Sequence, residues 1–392
     1  MEVTDMEFRV PDEIKELKKV VRRFVEEELR PLEREVEEKG VSPELRKALT
    51  KKAVDLGIYA LAMPKEYGGG GLGLLGQVMI AEEMGRIHPS LRFVVSDGDQ
   101  MVLHWGTEEQ KQRYLVPVIR GEKIPAIGMT EPDAGSDISM IKTTAVRDGD
   151  HWILNGTKHF TTYADIADYI KVFAVTDKSK GARGGITCFL VDTDTPGFRV
   201  TKVFDSIARS LHVCEEVFEN CIVPHENVLG GVGQGHKVFG TTYAMNRGRY
   251  GGFCVGIAEY LLEKCRDYAK QRVLFGEPIA NRQAIQWMLA DTAIDIYATR
   301  MMTYNFAWRY DQGMDVRHES SMVKTFAVEM VGRAADRAIQ IHGGMGLMKD
   351  LPFERIYREV RALRIAGGTT EIQRMIIARN ILRGHVSTGY NI

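Results

Sequence analysis

A chain of 392 residues, 44% hydrophobic and 27% charged, is long enough for two or three domains sharing a substantial core and has the composition of a globular protein. Lys+Arg 52 against Asp+Glu 53 leaves no global charge bias toward nucleic acid or anionic membranes. The five cysteines include no CxxC and lie near no paired-His spacing, which argues against a disulfide framework or metal site and fits a reducing compartment.

The acidic start, Met1–Asp5, has no apolar leader, and no apolar run approaches bilayer length, so the expectation is a cytoplasmic protein without membrane insertion. Residues 12–38 carry Ile14, Leu17, Val21, Phe24 and Val25 at helical spacing, with Pro11 suited to a first turn and Pro31 set to kink or divide the helix. Ser42-Pro43-Glu44 starts a second helix. Pro64–Gly71, with four glycines, breaks the pattern as a surface turn. Further helices are expected at about Gly73–Ile87, Ser96–Trp105 and Glu108–Ile119.

Between Ile127 and Gly230 the apolar period changes to two. Strands are expected at Thr143–Arg147, His151–Leu154, Tyr169–Val175, Thr187–Asp192, Phe198–Val203 and Glu215–Phe218, with Asp148-Gly149, Asn155-Gly156 and Pro196-Gly197 turning the chain. Short strands at this spacing suggest a compact sandwich or barrel. No G-x-G-x-x-G follows a strand, which disfavours a Rossmann nucleotide site. After Gly235 the helical period returns over roughly His236–Arg272, Asn281–Gln312 and His318–Ile341, then Pro352–Arg361 and Thr370–Leu382, as suits an antiparallel bundle. The expected organisation is α+β: a helical domain at 1–126, a β domain at 127–234 and a four-helix-bundle domain at 235–392.

The most distinctive stretch is Met129–Asp137, Met-Thr-Glu-Pro-Asp-Ala-Gly-Ser-Asp. Its proline stops regular structure, and its short polar residues present backbone donors and hydroxyls to a ligand edge. It resembles the Thr-Glu-Pro-(Gly/Asp)-Ala-Gly-Ser-Asp signature of the acyl-CoA dehydrogenases, whose helix–strand–helix order matches essentially the whole chain. Gly156–Thr162, by its residues alone a hairpin, resembles that family's Gly-x-Lys-x-Trp/Phe-Ile-Thr segment. The resemblance implies bound FAD, contacted by Met129, Thr130, Phe160 and Thr162. An aromatic wall excludes water, and hydrogen bonds at the ring tune its electron affinity.

Arg272–Ile279 with Gln283 resembles the family's Arg-x-x-Phe-Gly-x-x-Ile…Gln segment, which reaches FAD on a neighbouring subunit. By that likeness Arg272, Phe275 and Gln283 are cofactor contacts across an interface. Gln340-Ile341-His342-Gly343-Gly344-Met345-Gly346 resembles the Gln-x-x-Gly-Gly-x-Gly segment near the diphosphate, which implicates Gln340, Gly343 and Gly344. His342 itself reads better as a packed helix-end histidine. A site completed by a second chain implies at least a dimer, and many relatives are tetramers. Asn246 and Arg249 match the segment that positions the CoA arm, and Ser136 and Gly368 would face the same thioester. Thr369 and Glu371 match flavin-contacting positions. Electron-transfer flavoprotein or a similar carrier is the implied acceptor.

One group is missing. Most relatives carry a catalytic Glu where this chain has Gly367, and a smaller set carries it at the position matched by Gly248. Asp97 and Asp99 are the substitutes considered, in a helix start that equally suits capping. Members acting on cyclic acyl-CoAs, such as cyclohexene-carboxyl-CoA dehydrogenases, resemble this pattern. That implies a cyclic or branched acyl group, Asp97 as base and the Gly367 N–H polarising the thioester carbonyl. The alternatives are a flavin-dependent monooxygenase or oxidase of the same fold, and an inactive paralogue.

Overall fold

The computed structural model describes residues 10–95, 98–209 and 211–384. Helix α1 (Asp12–Phe24) buries Val21 and Phe24. Pro31, with no N–H to give, disturbs the helix on either side of it. Val25–Leu29 widens to a π turn and Arg30–Leu32 tightens to a 3-10 turn before Glu33–Lys39 resumes the regular helix. Helix α2 (Pro43–Asp55) begins where the Ser42 hydroxyl accepts the Leu45 N–H at 3.2 Å. Helix α3 (Leu74–Gly85) is buried along almost its whole length.

Helix α4 (Gln100–Trp105) begins later than the expected Ser96. Asp99 stands at its N-cap in an extended conformation, its carboxylate accepting the N–H groups of Met101 at 3.0 Å and Val102 at 3.2 Å. Ser96 and Asp97 lie outside the described residues.

The middle of the chain forms one mixed sheet from β1 (Pro125–Gly128), β2 (Thr144–Asp148), β3 (His151–Thr162), β4 (Tyr169–Val175), β5 (Ile186–Asp192), β6 (Phe198–Phe204), β7 (Val213–Pro224) and β8 (Val228–Leu229). Its order is β6-β7-β3-β2-β4-β5-β8, with β1 parallel to β4. β4 and β5 are buried on both faces, hence their near-continuous apolar runs.

Asn155-Gly156 is not the expected hairpin turn. Both residues lie inside β3, and the pairing with β7 shifts register between Leu154 and Gly156. Gly156 takes φ 152° against Thr143, whose Oγ1 lies 2.4 Å from where a Cβ would stand. The Asn155 side chain bridges the bulge, its Oδ1 accepting the Asn220 N–H at 2.8 Å. A bulge of this kind keeps a long strand paired while bending it.

The returning helical period forms α5 (Gly235–Gln271), α6 (Gln283–Asp311), α7 (Arg317–His342), α8 (Phe353–Leu363) and α9 (Thr370–Leu382). A short hairpin of β9 (Val273–Leu274) and β10 (Glu277–Pro278) links α5 to α6. α5 crosses α3 almost backbone to backbone: a Cβ at Gly256 would fall 1.8 Å from the Glu82 carbonyl oxygen. One core cluster joins Met63, Met101 and Tyr114 to Tyr169, Phe173 and Cys188 of the sheet and to Val238 of α5. Helical start, sheet and bundle therefore share apolar surface, and a cleft opens along their junction.

Candidate functional site

The cleft, about 2940 Å³, is lined from all three parts of the chain. That exceeds the usual 300–1,000 Å³ of a single small-molecule pocket. Its β wall starts where β1 ends. The loop after Gly128 is pinned from behind by Glu131, whose carboxylate accepts the N–H groups of Lys142 at 2.5 Å and Thr143 at 3.0 Å. The fully buried Lys158 ammonium donates to Glu131 at 2.7 Å and to the Met129 carbonyl at 3.2 Å. The His159 N–H donates to the Thr130 carbonyl at 2.7 Å. Met129 and Thr130 thus reach the cleft on a backbone locked to β3.

A second register shift, between His159 and Thr161, lies at Phe160. Phe160 adopts φ 59°, a left-handed conformation that a bulky residue rarely holds. Phe160 is 57% exposed, lines the cleft and packs at a tilt on Phe204 with ring centroids 5.2 Å apart. Thr162 lines the cleft two residues further along the strand.

The helical wall combines α5 with the turn that precedes α9. Gly367 and Gly368 take φ 69° and 89°, and Thr369 then caps α9, its hydroxyl accepting the Ile372 N–H at 3.3 Å. Gln373 donates to the Gly368 carbonyl at 3.2 Å and leaves its own Oε1 buried without a partner. On α5, Asn246, Arg249 and Tyr250 line the cleft together with Tyr243 and Arg247. Burial brings the Arg249 guanidinium down to about 10, and it sits over the Phe253 ring at 5.7 Å.

Of the residues singled out from sequence, Asp99, Met129, Thr130, Ser136, Phe160 and Thr162 line this cleft, as do Asn246, Arg249, Gly367, Gly368 and Thr369. Arg272, Phe275 and Gln283 stand at the far end of α5, where Phe275 caps the hairpin 94% exposed. Gln340, Gly343 and Gly344 end α7, and neither group lines the cleft within one chain. Glu371 is exposed on the first turn of α9. His342 is packed between Tyr268 and Phe353, with ring centroids 4.3 and 4.0 Å away, and its Nδ1 meets the Ala338 carbonyl at 2.8 Å.

Position 248 points away from the cleft: a Cβ there would meet Phe306 at 2.0 Å, inside the bundle. Asp99 accepts, besides its two capping N–H groups, the Tyr169 hydroxyl at 2.7 Å and an ion pair from the buried Lys171. Sequence reasoning passed over Tyr243, Arg247 and Tyr250. Their i, i+4, i+7 spacing was the available signal that they share a face.

The residues present fit a flavin. An exposed aromatic on strained backbone offers a stacking surface, the loop backbone and the Thr162 hydroxyl offer donors, and Arg247, which lines the cleft, has its Nε buried without a partner among the described residues.

Models of the acyl-CoA dehydrogenase N-terminal, middle and C-terminal domains match residues 11–122, 126–221 and 233–382. The chain is 39% identical over 372 residues to a 3-(aryl)acrylate reductase of Clostridium sporogenes, covering 94% of this chain and 98% of that protein. It superposes with a TM-score of 0.91 on butyryl-CoA dehydrogenase from Megasphaera elsdenii, at 34% identity over 96% of this chain and 100% of that one. It superposes equally, TM-score 0.91 and 35% identity over 96% and 100% of the two chains, on a chain from the structure of an electron transferring flavoprotein of Acidaminococcus fermentans. The chain belongs to the acyl-CoA dehydrogenase family, FAD-dependent oxidoreductases that act on the CH–CH bond of acyl-CoA thioesters. Among the described residues no helix is long and apolar enough to cross a membrane.

Proposed function

We propose that this chain dehydrogenates a cyclic or branched acyl-CoA, such as a cyclohexene-carboxyl thioester, and passes the electrons to electron-transfer flavoprotein or a similar carrier. The observation that carries the reading is one cleft holding a flavin-type wall together with a helical wall that lacks a carboxylate at both 248 and 367. Bound FAD supplies a two-electron acceptor for hydride. Phe160 excludes water from its face, while Thr162 and the Met129–Thr130 backbone hold its polar edge. Ser136, Asn246, Arg249 and Gly368 orient the thioester and the CoA arm, and the Gly367 N–H polarises the carbonyl.

Arg272, Phe275, Gln283, Gln340, Gly343 and Gly344 serve the cofactor of a neighbouring copy, in a dimer or tetramer. Their distance from the cleft within one chain supports that division, as does an aromatic as exposed as Phe275. Thr369 and Glu371 contact the flavin from the start of α9.

Removal of a carbon-bound proton then needs another base. Asp99 is committed to a cap and to Lys171, and Asp97 is the base in this reading. Asp97→Asn is expected to keep FAD and CoA-thioester binding and to lose reduction of the flavin by cyclic thioesters. Wild-type reduction by that variant would remove Asp97 from the mechanism. Oxygen consumption without an added carrier would favour the oxidase or monooxygenase reading, and a purified chain that neither contains nor takes up flavin would favour an inactive paralogue.

A further inference from the structure

The helical wall of the cleft is chemically one-sided. From Gly235 the first carboxylate on α5 is Glu259, and from Arg364 to Thr370 there is none. What α5 presents instead is Tyr243, Arg247 and Tyr250, three residues on one helical face. A Cβ placed on Gly367 would lie 3.2 Å from the Tyr250 hydroxyl, and one placed on Gly368 would lie 4.0 Å from an Arg247 terminal nitrogen. The Tyr250 hydroxyl makes no hydrogen bond to a described residue, and Arg247 Nε is buried without a partner among them. A phenol and a guanidinium therefore stand with open valences beside the Gly367–Gly368 backbone, in the cleft that Phe160 and Thr162 also line.

Both groups donate, and neither accepts a proton readily. Burial holds the Tyr250 phenol well above its ordinary range, with the neighbouring Tyr243 adding to the effect and Arg249 opposing it. The phenol therefore carries its proton at neutral pH. With no carboxylate on either stretch, the Tyr250 hydroxyl is the proton-bearing group that this wall sets beside the Gly367–Gly368 backbone.

We propose that Tyr250 is the acid that protonates the α-carbon when this site reduces an α,β-unsaturated acyl thioester. In that direction a bound reduced flavin would supply the hydride, two electrons and a proton equivalent, that bonds to the β-carbon. The carbon–carbon π pair becomes the enolate of the thioester, held by Arg247 and the Gly367 N–H. The Tyr250 O–H bond breaks, its proton bonds to the α-carbon, and solvent returns a proton to the phenolate. The two electrons would be resupplied to the bound cofactor by a donor of the dihydronicotinamide or reduced-flavoprotein class. Hydride from the β wall and proton from the helical wall reach opposite faces of the substrate. The inference rests on the flavin and acyl-thioester reading above, and on neither the cyclic acyl group nor Asp97.

The test uses flavin-loaded protein reduced with dithionite and mixed anaerobically, in deuterium oxide, with crotonyl-CoA and cinnamoyl-CoA. Wild type is expected to reoxidise its flavin and place deuterium on the α-carbon. Tyr250→Phe, with unchanged flavin content and melting temperature, is expected to reoxidise at least about 100-fold more slowly, the usual scale of general acid catalysis. Calorimetry gives a readout independent of turnover. Acetoacetyl-CoA, which enolises but has no double bond to reduce, should bind about tenfold more weakly to Tyr250→Phe than to wild type, while butyryl-CoA binds both alike. If wild type reoxidises and Tyr250→Phe matches it within about twofold, the Tyr250 assignment is overturned. It is equally overturned if Asp97→Asn, and not Tyr250→Phe, abolishes α-deuteration. If wild-type flavin neither reoxidises with enoyl thioesters nor bleaches with saturated ones, the flavin reading itself fails, and the assignment with it.

Discussion

Glu216 stands fully buried on β7 opposite Lys158, with one carboxylate oxygen 3.0 Å from where a Cβ on Gly128 would be. Burial raises its pKa to about 7, against partial opposition from the Thr161 hydroxyl and the Lys158 charge. The group binds a proton more tightly folded than unfolded. Its contribution is therefore fully present below the unfolded value near 4.5 and is lost as pH rises through about 7. A shift of this size corresponds to about 3 kcal/mol between the two protonation states. Glu216→Gln should consequently raise the melting temperature at pH 8 relative to wild type and leave it nearly unchanged at pH 4, as read by thermal denaturation across pH. An equal shift at both values would contradict the titration. At this scale, residue order was the useful guide to the β wall: the Thr-Glu-Pro-Asp-Ala-Gly-Ser-Asp and Lys-x-Phe-x-Thr stretches carry their own identity. Tyr250 was invisible by the same route. Its placement depends on which face of α5 meets the Gly367 turn, and that is settled by Phe306 packing against Gly248.

Among the elements, β3 does most to form the site. It runs from His151 to Thr162 with two breaks in register, carries Lys158 inward, and turns Phe160 outward on a left-handed backbone. Lys158 and Glu131 form a buried pair that holds the Met129–Thr130 loop from behind. Removing one partner of such a pair leaves the other charge stranded, at a cost of about 3–5 kcal/mol. Lys158→Met should lose stability on that scale in chemical denaturation and also lower flavin occupancy. Adding Glu131→Gln should recover part of the stability, because the stranded charge is gone. No recovery would mean that the pair is not coupled. The strand was half legible. Its alternation could be read from His151 to Leu154 and again after Gly156, but Asn-Gly between two alternating runs has the chemistry of a hairpin. Only the pairing of both halves with the single long strand β7 distinguishes a bulge from a turn. The long helices were easier, since their period persists over many turns. The start of α4 was misplaced because Asp97 and Asp99 are equally good caps in sequence, and Asp99 is the one the structure uses.

For the molecule as a whole, the change of period from helix to strand to helix was enough to anticipate the architecture, because each period survives over tens of residues. The cleft itself was not legible. It arises where Met63, Met101 and Tyr114, the sheet residues Tyr169 and Phe173, and Val238 bury one another, and no local pattern records contacts so distant in sequence. The same junction brings the β wall and the Tyr250 wall to one space, which is the basis for assigning acyl-thioester redox chemistry to this chain. The most direct measurement is the flavin absorbance of the purified, flavin-loaded protein on anaerobic mixing with straight-chain, branched, glutaryl, cyclohexane-carboxyl and cyclohexene-carboxyl thioesters of CoA. Bleaching is expected, fastest with a cyclic or branched ester. Flavin that stays oxidised with every saturated ester, and that once reduced is not reoxidised by any unsaturated one, would contradict acyl-thioester redox chemistry in this cleft.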